Sequence, residues 1–222
     1  MRIAVLGTGV VGRTIGTKLV ELGHEVRMGS RTPDNERAVA WAKEMGPNAS
    51  HGAHRDAAAF GEAVFNCTTG SASLEALEQA GHENLAGKIL IDIANPLDFS
   101  QGVPPCLTVC NTDSLAEQIQ RTFPETRVVK SLNTVNAGVM VNPSLVPGDH
   151  VLFLCGNDAT SKAQVAVWLE QWFGWKRDNV IDLGDITAAR ATEMFLPLWL
   201  RLYGLLGTPH FNINVVGGRP GV

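Results

Sequence analysis

The chain has 222 residues, of which 45% are hydrophobic and 18% are charged, and its formal net charge is −4. These proportions exclude an intrinsically disordered chain, a collagen-like chain and a disulfide scaffold. Because no run of lysine or arginine residues occurs, the composition also argues against a surface that binds nucleic acid or an anionic membrane.

The amino terminus and the cysteines indicate a compartment. The chain begins with one basic residue and a short apolar run, without the longer apolar region of a signal peptide. The 4 cysteines are irregularly spaced, and no stretch of the sequence approaches the length of a membrane span. We therefore expect a cytoplasmic protein with no membrane partner.

Predicted strands and helices alternate through residue 131. Short runs rich in β-branched residues predict strands at residues 2–6, 25–28, 63–67, 88–93 and 126–131. Apolar residues recur at helical spacing over residues 10–22. A second helix is predicted to begin with Thr32 as its N-cap and Pro33 as its first residue. This alternation is typical of a parallel α/β sheet.

The rest of the chain is predicted to contain two strands, residues 151–155 and 180–183, on either side of a helix over residues 160–173. The last helix, residues 187–206, has more apolar residues than one packed face needs, and Pro197 predicts a kink or break in it. We expect this helix to be buried on two sides, against the body of the chain and against the second subunit of a homodimer.

A glycine motif lies between the first predicted strand and the first predicted helix. The run Gly7-Thr8-Gly9-Val10-Val11-Gly12 has the spacing G-x-G-x-x-G. In this context Gly7 permits the tight turn, Gly9 leaves room for a pyrophosphate and Gly12 lets the helix approach the strand. Free amides at the start of the helix then meet the phosphate charge. The structural alternative is a glycine-rich turn that binds no ligand.

The motif and the alternation together predict a Rossmann-type fold, which is a doubly wound and mostly parallel sheet. We expect residues 1–142 to form a dinucleotide-binding domain. Residues 143–222 are expected to form a small C-terminal α/β part that packs on the sheet and contains the dimer interface.

The end of the second predicted strand indicates which dinucleotide is bound. A site for NAD usually offers a carboxylate to the ribose hydroxyls there. In this chain Arg31 lies between Ser30 and Thr32 instead. A guanidinium flanked by two hydroxyls favours the 2′-phosphate of NADP(H). The alternative is that Arg31 is a solvated loop residue and Thr32 is only a helix cap.

Further candidates follow the later strands, because ligands of such folds lie at the carboxyl ends of the strands. Thr68, Thr69 and Gly70 allow a close backbone approach to the cofactor, or they simply lead into a helix capped by a serine. Asn95 and Pro96 are predicted to form a rigid turn that lies against the nicotinamide ring.

A hydride acceptor is expected at the loop after residues 126–131. This loop contains Asn133 and Val135 and is preceded by Lys130. Lys130 could stabilise a reduced, anionic ring or neutralise a carboxylate, and we favour the first of these roles.

The chain resembles NADP-dependent oxidoreductases of the coenzyme F420 type over nearly its whole length. The shared segments, which occur in the same order, are the glycine loop and residues 29–31, 91–97, 128–134, 155–158, 182–184 and 189–193. That family is similar in turn to the cytoplasmic reductase domain of the STEAP metalloreductases, which passes hydride to a flavin.

The resemblance implies that NADPH and a deazaflavin stack in one cleft and exchange a hydride. It assigns residues 8–11, Ser30 and Arg31 to the phosphates of NADP. It places Ala137 near the nicotinamide amide, and Asn133 and Val135 beside the acceptor ring. Asn133 replaces a histidine that such reductases often carry, so the acceptor side departs from the family pattern.

Three functions are compatible with these residues. The first is an NADPH-dependent oxidoreductase whose small-molecule co-substrate is coenzyme F420, FAD or FMN, since hydride transfer between stacked rings needs proximity more than an acid or a base. The second is reduction of a small imine or carbonyl, although reductases of that kind have a longer helical C-terminal domain. The third is a protein that senses NADPH without turning it over.

Other reactive residues have structural interpretations. Cys106 and Cys110 have no second pair, so no metal site is expected. His54 is expected to be a solvated loop histidine. Arg190 and Glu193 are expected to form a weak pair along one helix.

Overall fold

The computed structural model describes residues 1–217, in which eight strands form one sheet. These residues contain ten strands in two sheets. In chain order the strands are β1 (Arg2–Leu6), β2 (Glu25–Ser30), β3 (Ala49–Ala53), β4 (Ala63–Asn66), β5 (Ile89–Asp92), β6 (Leu97–Asp98), β7 (Cys106–Leu107), β8 (Arg127–Ser131), β9 (Leu152–Gly156) and β10 (Val180–Asp182). The short strands β6 and β7 pair with each other outside the large sheet.

Helices connect the strands and cover both faces of the sheet. They are α1 (Val10–Glu21), α2 (Glu36–Met45), α3 (His54–Phe60), α4 (Ser73–Ala80), α5 (His82–Leu85), α6 (Leu115–Thr122), α7 (Ala137–Val141), α8 (Ala159–Phe173), α9 (Ala189–Met194) and α10 (Leu196–Leu206). No helix within residues 1–217 is both long enough and apolar enough to cross a lipid bilayer.

The order of the strands in the large sheet is β10-β9-β8-β5-β4-β1-β2-β3. All of its neighbouring pairs are parallel except β8 and β9. This confirms the predicted mostly parallel, doubly wound sheet. The chain runs outward from β1 through β2 to β3 and then returns to the other side of β1 at β4. The crevice between the carboxyl ends of β1 and β4 is therefore the topological switch point, where such folds bind their ligands.

The core lies on both faces of the sheet, as β1 illustrates. Ile3 and Val5 pack in one buried cluster with Trp41 of α2, whereas Ala4 and Leu6 pack in the cluster on the opposite face. Successive side chains of a strand point to opposite faces, so both faces of β1 must be apolar. This explains why the sequence shows a continuous apolar run there.

The structure has one strand that was not predicted and one helix that begins later than predicted. Strand β3 was not predicted, because its sequence, Ala-Ser-His-Gly-Ala, contains no β-branched residue. Helix α2 does not begin after Thr32: Asn35 is its N-cap, and the Asn35 side chain accepts hydrogen bonds from the amides of Arg37 at 3.1 Å and Ala38 at 3.3 Å. The residues before Asn35 belong to the turn that leaves β2.

The predicted last helix is divided in two. Helix α9 ends at Met194, and Pro197 lies in the first turn of α10, so the break occurs where proline predicts it. Little of α10 packs against the body of the chain, since Leu196 is its only buried residue. Leu198, Leu205 and Leu206 are 53%, 81% and 51% exposed. Of the two contacts expected for this helix, the intramolecular one is therefore small.

Candidate cofactor-binding site

The glycine loop forms the tight turn between β1 and α1. Gly7 has a φ of +111°, which side chains rarely tolerate. An added Cβ at Gly12 would lie 2.0 Å from the carbonyl oxygen of Gly7, so no side chain fits there. These contacts support the roles predicted for Gly7 and Gly12.

The start of α1 is open to a ligand. Gly9 is its N-cap and offers no side-chain hydrogen bond to the amides of the first turn. A Cβ at Gly9 would meet nothing within 4 Å, so the space that it leaves is free on this side of the loop. Unpaired amides next to free space are the arrangement that binds a phosphate at a helix N-terminus.

A cavity of about 440 Å³ lies against the glycine loop at the carboxyl edge of the sheet. It is bounded by residues from the loops after β1, β2 and β4 and from the starts of α2, α3 and α4. The residues that line it are Gly7, Thr8, Gly9, Ser30, Arg31, Asn35, Arg37, His54, Cys67, Thr68, Thr69, Ser71, Ala72, Glu75, Ala76 and Gln79. The cavity thus lies at the switch point and brings together the predicted phosphate-binding residues Thr8, Ser30 and Arg31.

Two guanidinium groups line this cavity. The arginine salt bridges within residues 1–217 are those of Arg13, Arg55, Arg121 and Arg190, so Arg31 and Arg37 are left without a carboxylate partner there. An unpaired guanidinium is suited to a phosphate. Arg37 was not predicted as a site residue, because a helix beginning after Thr32 would have placed it beyond the first turn.

The remaining residues predicted after β2 have different positions. The Ser30 hydroxyl donates to the backbone carbonyl of Thr32 at 2.6 Å, which fixes the turn and leaves the oxygen of Ser30 as an acceptor. Thr32 is exposed and does not line the cavity.

Val10 and Val11 lie in the first turn of α1, and Val10 is 76% exposed. The groups that these two residues offer to a phosphate are therefore their backbone amides and not their side chains.

His54 is buried, contrary to the expectation of a solvated histidine. Its residue exposure is 4%, and it lines the cavity beside Arg31. Burial, with a smaller contribution from the charge of Arg31, lowers the pKa of His54 to about 4. Its imidazole is therefore neutral at physiological pH.

The loops after β4, β5 and β8 interlock at the same edge of the sheet. An added Cβ at Gly70 would lie 1.9 Å from the carbonyl oxygen of Asn95, so the first two loops are in close contact. The Asn133 amide donates to the side chain of Asn95 at 2.9 Å, and the Asn95 amide donates to the backbone carbonyl of Asn133 at 2.9 Å. Gly70, Asn95 and Asn133, three of the predicted site residues, are thereby held together.

The loop after β8 is strained and closely packed. Leu132 has a φ of +64°, a left-handed conformation that is uncommon for a residue other than glycine. Val135 and Ala137 are buried, and Asn136 caps α7 by accepting from the amide of Gly138 at 3.0 Å. Backbone strain of this kind concentrates at functional sites.

The structure supports the second role considered for Lys130, neutralisation of carboxylates. Lys130 is 1% exposed, and its ammonium lies 2.8 Å from Asp92 and 2.9 Å from Glu193. Desolvation alone would lower the pKa of Lys130, but the two carboxylates outweigh it and raise that pKa above its ordinary value. With its ammonium fully engaged, Lys130 is not placed to stabilise an anionic ring.

The sequence predicted an ion pair between Arg190 and Glu193 along one helix. In the structure these two residues have other partners. The Glu193 carboxylate accepts from the amides of Leu115 at 2.8 Å and Ala116 at 3.1 Å, at the start of α6. Arg190 makes two hydrogen bonds to Glu117 instead, at 2.8 and 2.6 Å. Helix α9 is therefore fixed to the sheet and to α6 by charge.

The same segment also contacts the loop after β8. The Asn133 amide also donates to the backbone carbonyl of Thr192, at 3.1 Å. On the other side of Lys130, Asp92 accepts from Asn66 at 2.8 Å, and Asn66 accepts from the hydroxyl of Thr68 at 2.7 Å. A buried polar network thus runs beneath the site from α9 to the loop after β4.

The cysteines provide no reactive group in the cavity. Burial raises the pKa of Cys67, which lines the cavity, and raises the pKa of Cys155 to about 12. Cys106 and Cys110 are exposed in and after β7. Within residues 1–217, no group of three or more histidine, cysteine, aspartate or glutamate residues could hold a metal ion.

Comparison with known proteins identifies the family to which the chain is similar. The family model described as NADP oxidoreductase, coenzyme F420-dependent, matches residues 2–96, which include the glycine loop, Arg31 and Asn95. A crystal structure of a candidate F420-dependent NADP-reductase from Arthrobacter sp. FB24 is 54% identical in sequence. It covers 98% of this chain, is itself covered over 100% of its length and has a TM-score of 0.92.

More distant relatives share the fold or part of the length. The metalloreductase STEAP2 of Homo sapiens is 28% identical over 209 residues, which are 93% of this chain and 37% of the human protein. The metalloreductase STEAP3 of Rattus norvegicus is 25% identical and is covered over 38% of its length. The chain thus spans less than two fifths of these curated relatives. An imine reductase from Streptomyces aurantiacus has a similar fold, with a TM-score of 0.65 and 20% sequence identity. The match covers 93% of this chain and 64% of the imine reductase.

The full-length match at 54% identity and the phosphate-binding geometry lead to the same assignment. The chain belongs to the coenzyme F420-dependent family of NADP oxidoreductases and is an NADP-dependent enzyme.

Proposed function

We propose that the protein transfers a hydride between NADP(H) and a tricyclic ring, with the deazaflavin coenzyme F420 as the first candidate and the flavins FAD and FMN as the others. The observation that carries this proposal is the chemistry of the two interlocked loops after β5 and β8. Residues 94–97 and 132–137 contain no titratable side chain, and Lys130 beneath them is fully paired. Reduction of an imine or carbonyl needs a proton donor positioned at the reacting group, whereas a reduced flavin or deazaflavin ring can take its proton from water.

The residues of the cavity fit NADP(H). Free amides follow Gly9, and the unpaired guanidiniums of Arg31 and Arg37 line the same cavity, so three sources of positive potential converge on it. The nicotinamide ring, when bound, supplies the hydride. The protein contributes binding of the phosphates, a rigid edge formed by Gly70, Asn95 and Asn133, and exclusion of water by the buried loop after β8.

The acceptor is tested by mixing the protein with NADPH and, separately, coenzyme F420, FAD, FMN and a small cyclic imine, and following the loss of nicotinamide absorbance. We expect oxidation by at least one ring and none by the imine. Oxidation by the imine alone would replace the proposal with imine reduction. Tight NADPH binding without oxidation by any acceptor would indicate a sensing protein.

Arg31→Ala is expected to weaken NADPH binding by about 1–3 kcal/mol and to leave NADH binding nearly unchanged, because a charge-assisted bond to the 2′-phosphate is lost in one case only. Isothermal titration calorimetry with both nucleotides measures this difference. Arg177→Ala is a matched control, since Arg177 is exposed beside β10 and remote from the cavity. Equal losses for both nucleotides would remove the reason to assign the 2′-phosphate to Arg31.

We also propose that α10 forms a homodimer interface. Arg201 is the only charged residue between Leu196 and Leu206, and the exposed leucines of this helix form an apolar surface that a second copy would cover. Leu205→Glu should then convert the dimer to a monomer in sedimentation experiments. Val103→Glu, at a residue that is 87% exposed on the loop between β6 and β7, should leave the dimer intact. A wild-type protein that sediments as a monomer would contradict the proposal.

A further inference from the structure

His54 is a buried residue of the cofactor cavity to which the proposed function assigns no role. Strands β2 and β3 pair in the register Ser30 with Ala53, so the next residues, Arg31 and His54, leave the two strands side by side. The packing beneath them is close: an added Cβ at Gly29 would lie 3.3 Å from the Cα of His54. His54 and Arg31 thus leave neighbouring strands at the same level, and both line the same cavity.

The two nitrogens of this imidazole have different environments. The Nδ1 atom is fully buried and has no hydrogen-bond partner within the described part of the chain. A proton on Nδ1 would be a buried, unsatisfied donor, which is costly, so the neutral ring keeps its proton on Nε2. The nitrogen that can reach a ligand in the cavity is therefore a hydrogen-bond donor.

Burial disfavours a charged imidazole at this position, and both positive and negative side chains surround it. Arg31 approaches from the end of β2, Glu75 of α4 lines the cavity, and Arg55, the next residue of α3, is paired with Glu83 of α5. Burial and the charge of Arg31 both disfavour an imidazolium, as the lowered pKa of His54 shows. The group next to Arg31 is therefore a neutral donor, and an anion attracted by the guanidinium could accept from both.

We propose that His54 is a specificity-determining residue. Its Nε2–H group donates a hydrogen bond to the 2′-phosphate of NADP(H), which Arg31 also binds. This inference rests on the proposed binding of the nucleotide in the cavity. It assigns to the end of β3 a part of the recognition that the family pattern places at the end of β2. A nucleotide without the 2′-phosphate gains nothing from this donor.

The test compares binding of NADP⁺ and NAD⁺ to the wild type, His54→Phe and His54→Asn by calorimetry. Phenylalanine keeps a ring in the buried site but removes the donor, and we expect it to weaken NADP⁺ binding about tenfold while changing NAD⁺ binding less than about twofold. Asparagine retains an N–H donor and should recover part of the loss. His82→Phe, at an exposed histidine of α5 outside the cavity, should leave both affinities unchanged.

Each outcome separates this inference from the assignment of NADP. If the wild type does not prefer NADP⁺, the cofactor assignment itself fails. If the wild type prefers NADP⁺ and Arg31→Ala abolishes that preference but His54→Phe does not, only the role of His54 is overturned. Equal weakening of both nucleotides in a folded His54→Phe protein would also overturn it, because it would indicate contact with the shared adenosine.

A spectroscopic measurement on the wild type tests the same inference without a variant that has to fold. In wild-type protein labelled with ¹⁵N-histidine, the nitrogen shifts report the position of the ring proton directly. We expect His54 to be the Nε2–H tautomer and its Nε2 resonance to shift on addition of NADP⁺ but not of NAD⁺. A protonated Nδ1, or a resonance that responds to neither nucleotide, would contradict the inference.

Discussion

Lys130→Met is expected to lower the free energy of unfolding by about 3–5 kcal/mol, because removing one partner of a buried ion pair leaves the other charge uncompensated. Lys130, Asp92 and Glu193 are each no more than 1% exposed, so water cannot replace the lost ammonium. Unfolding in urea, followed by circular dichroism, measures the change. Lys176→Met, which removes an exposed pair with Asp149, should cost less than about 1 kcal/mol.

A second variant tests whether the loss comes from the unpaired carboxylates. Adding Asp92→Asn and Glu193→Gln to Lys130→Met removes the buried negative charges and should restore part of the stability. If Lys130→Met cost no more than Lys176→Met, the buried cluster would not have the energetic importance that its geometry implies.

Gly12→Ala is expected to abolish NADPH binding and to destabilise the fold by about 3 kcal/mol or more. The new Cβ would lie 2.0 Å from the carbonyl oxygen of Gly7, and neither backbone can move away without shifting α1 from β1. Calorimetry with NADPH and thermal unfolding, measured on the same preparation, test both parts of this expectation.

Gly9→Ala is the matched control, because a Cβ there meets no atom of the protein within 4 Å. We expect its unfolding free energy to stay within about 1 kcal/mol of the wild type. Its NADPH affinity should nevertheless fall sharply, since the methyl occupies space intended for the pyrophosphate. If Gly9→Ala bound NADPH normally, the phosphate would not lie where the glycine motif predicts it.

The sequence predicts most of the sheet because its central strands are buried on both faces. Such strands are apolar over most of their buried length, which the run at β1 shows directly, and the strands β4, β5 and β8 keep an apolar run before the buried polar residues at their carboxyl ends. Strand β3 lies at the edge of the sheet, where it pairs with β2 through backbone hydrogen bonds. Its side chains therefore do not form the apolar pattern by which a strand is predicted from sequence. His54 follows that strand, which is why its burial could not be predicted.

The candidate site is predictable where it depends on local geometry. The glycine loop, Arg31 and the loops after the parallel strands follow from motif spacing and from the topology that they imply. The partners of Lys130 do not: Asp92 lies 38 residues earlier in the chain, and Glu193 comes from α9. The contact between Asn95 and Asn133, also 38 residues apart, is likewise set by the packing of loops rather than by a pattern along the chain.

The position of Glu193 has a consequence for the order of assembly during synthesis. Both members of the Lys130–Asp92 pair belong to the part of the chain that ends with β8, so their charges can neutralise each other before the later residues are synthesised. Glu193 is synthesised later than the α6 residues whose amides donate to its carboxylate. The Thr192 carbonyl that accepts from Asn133 lies in the same helix, so the loop after β8 cannot gain this hydrogen bond before α9 has been synthesised.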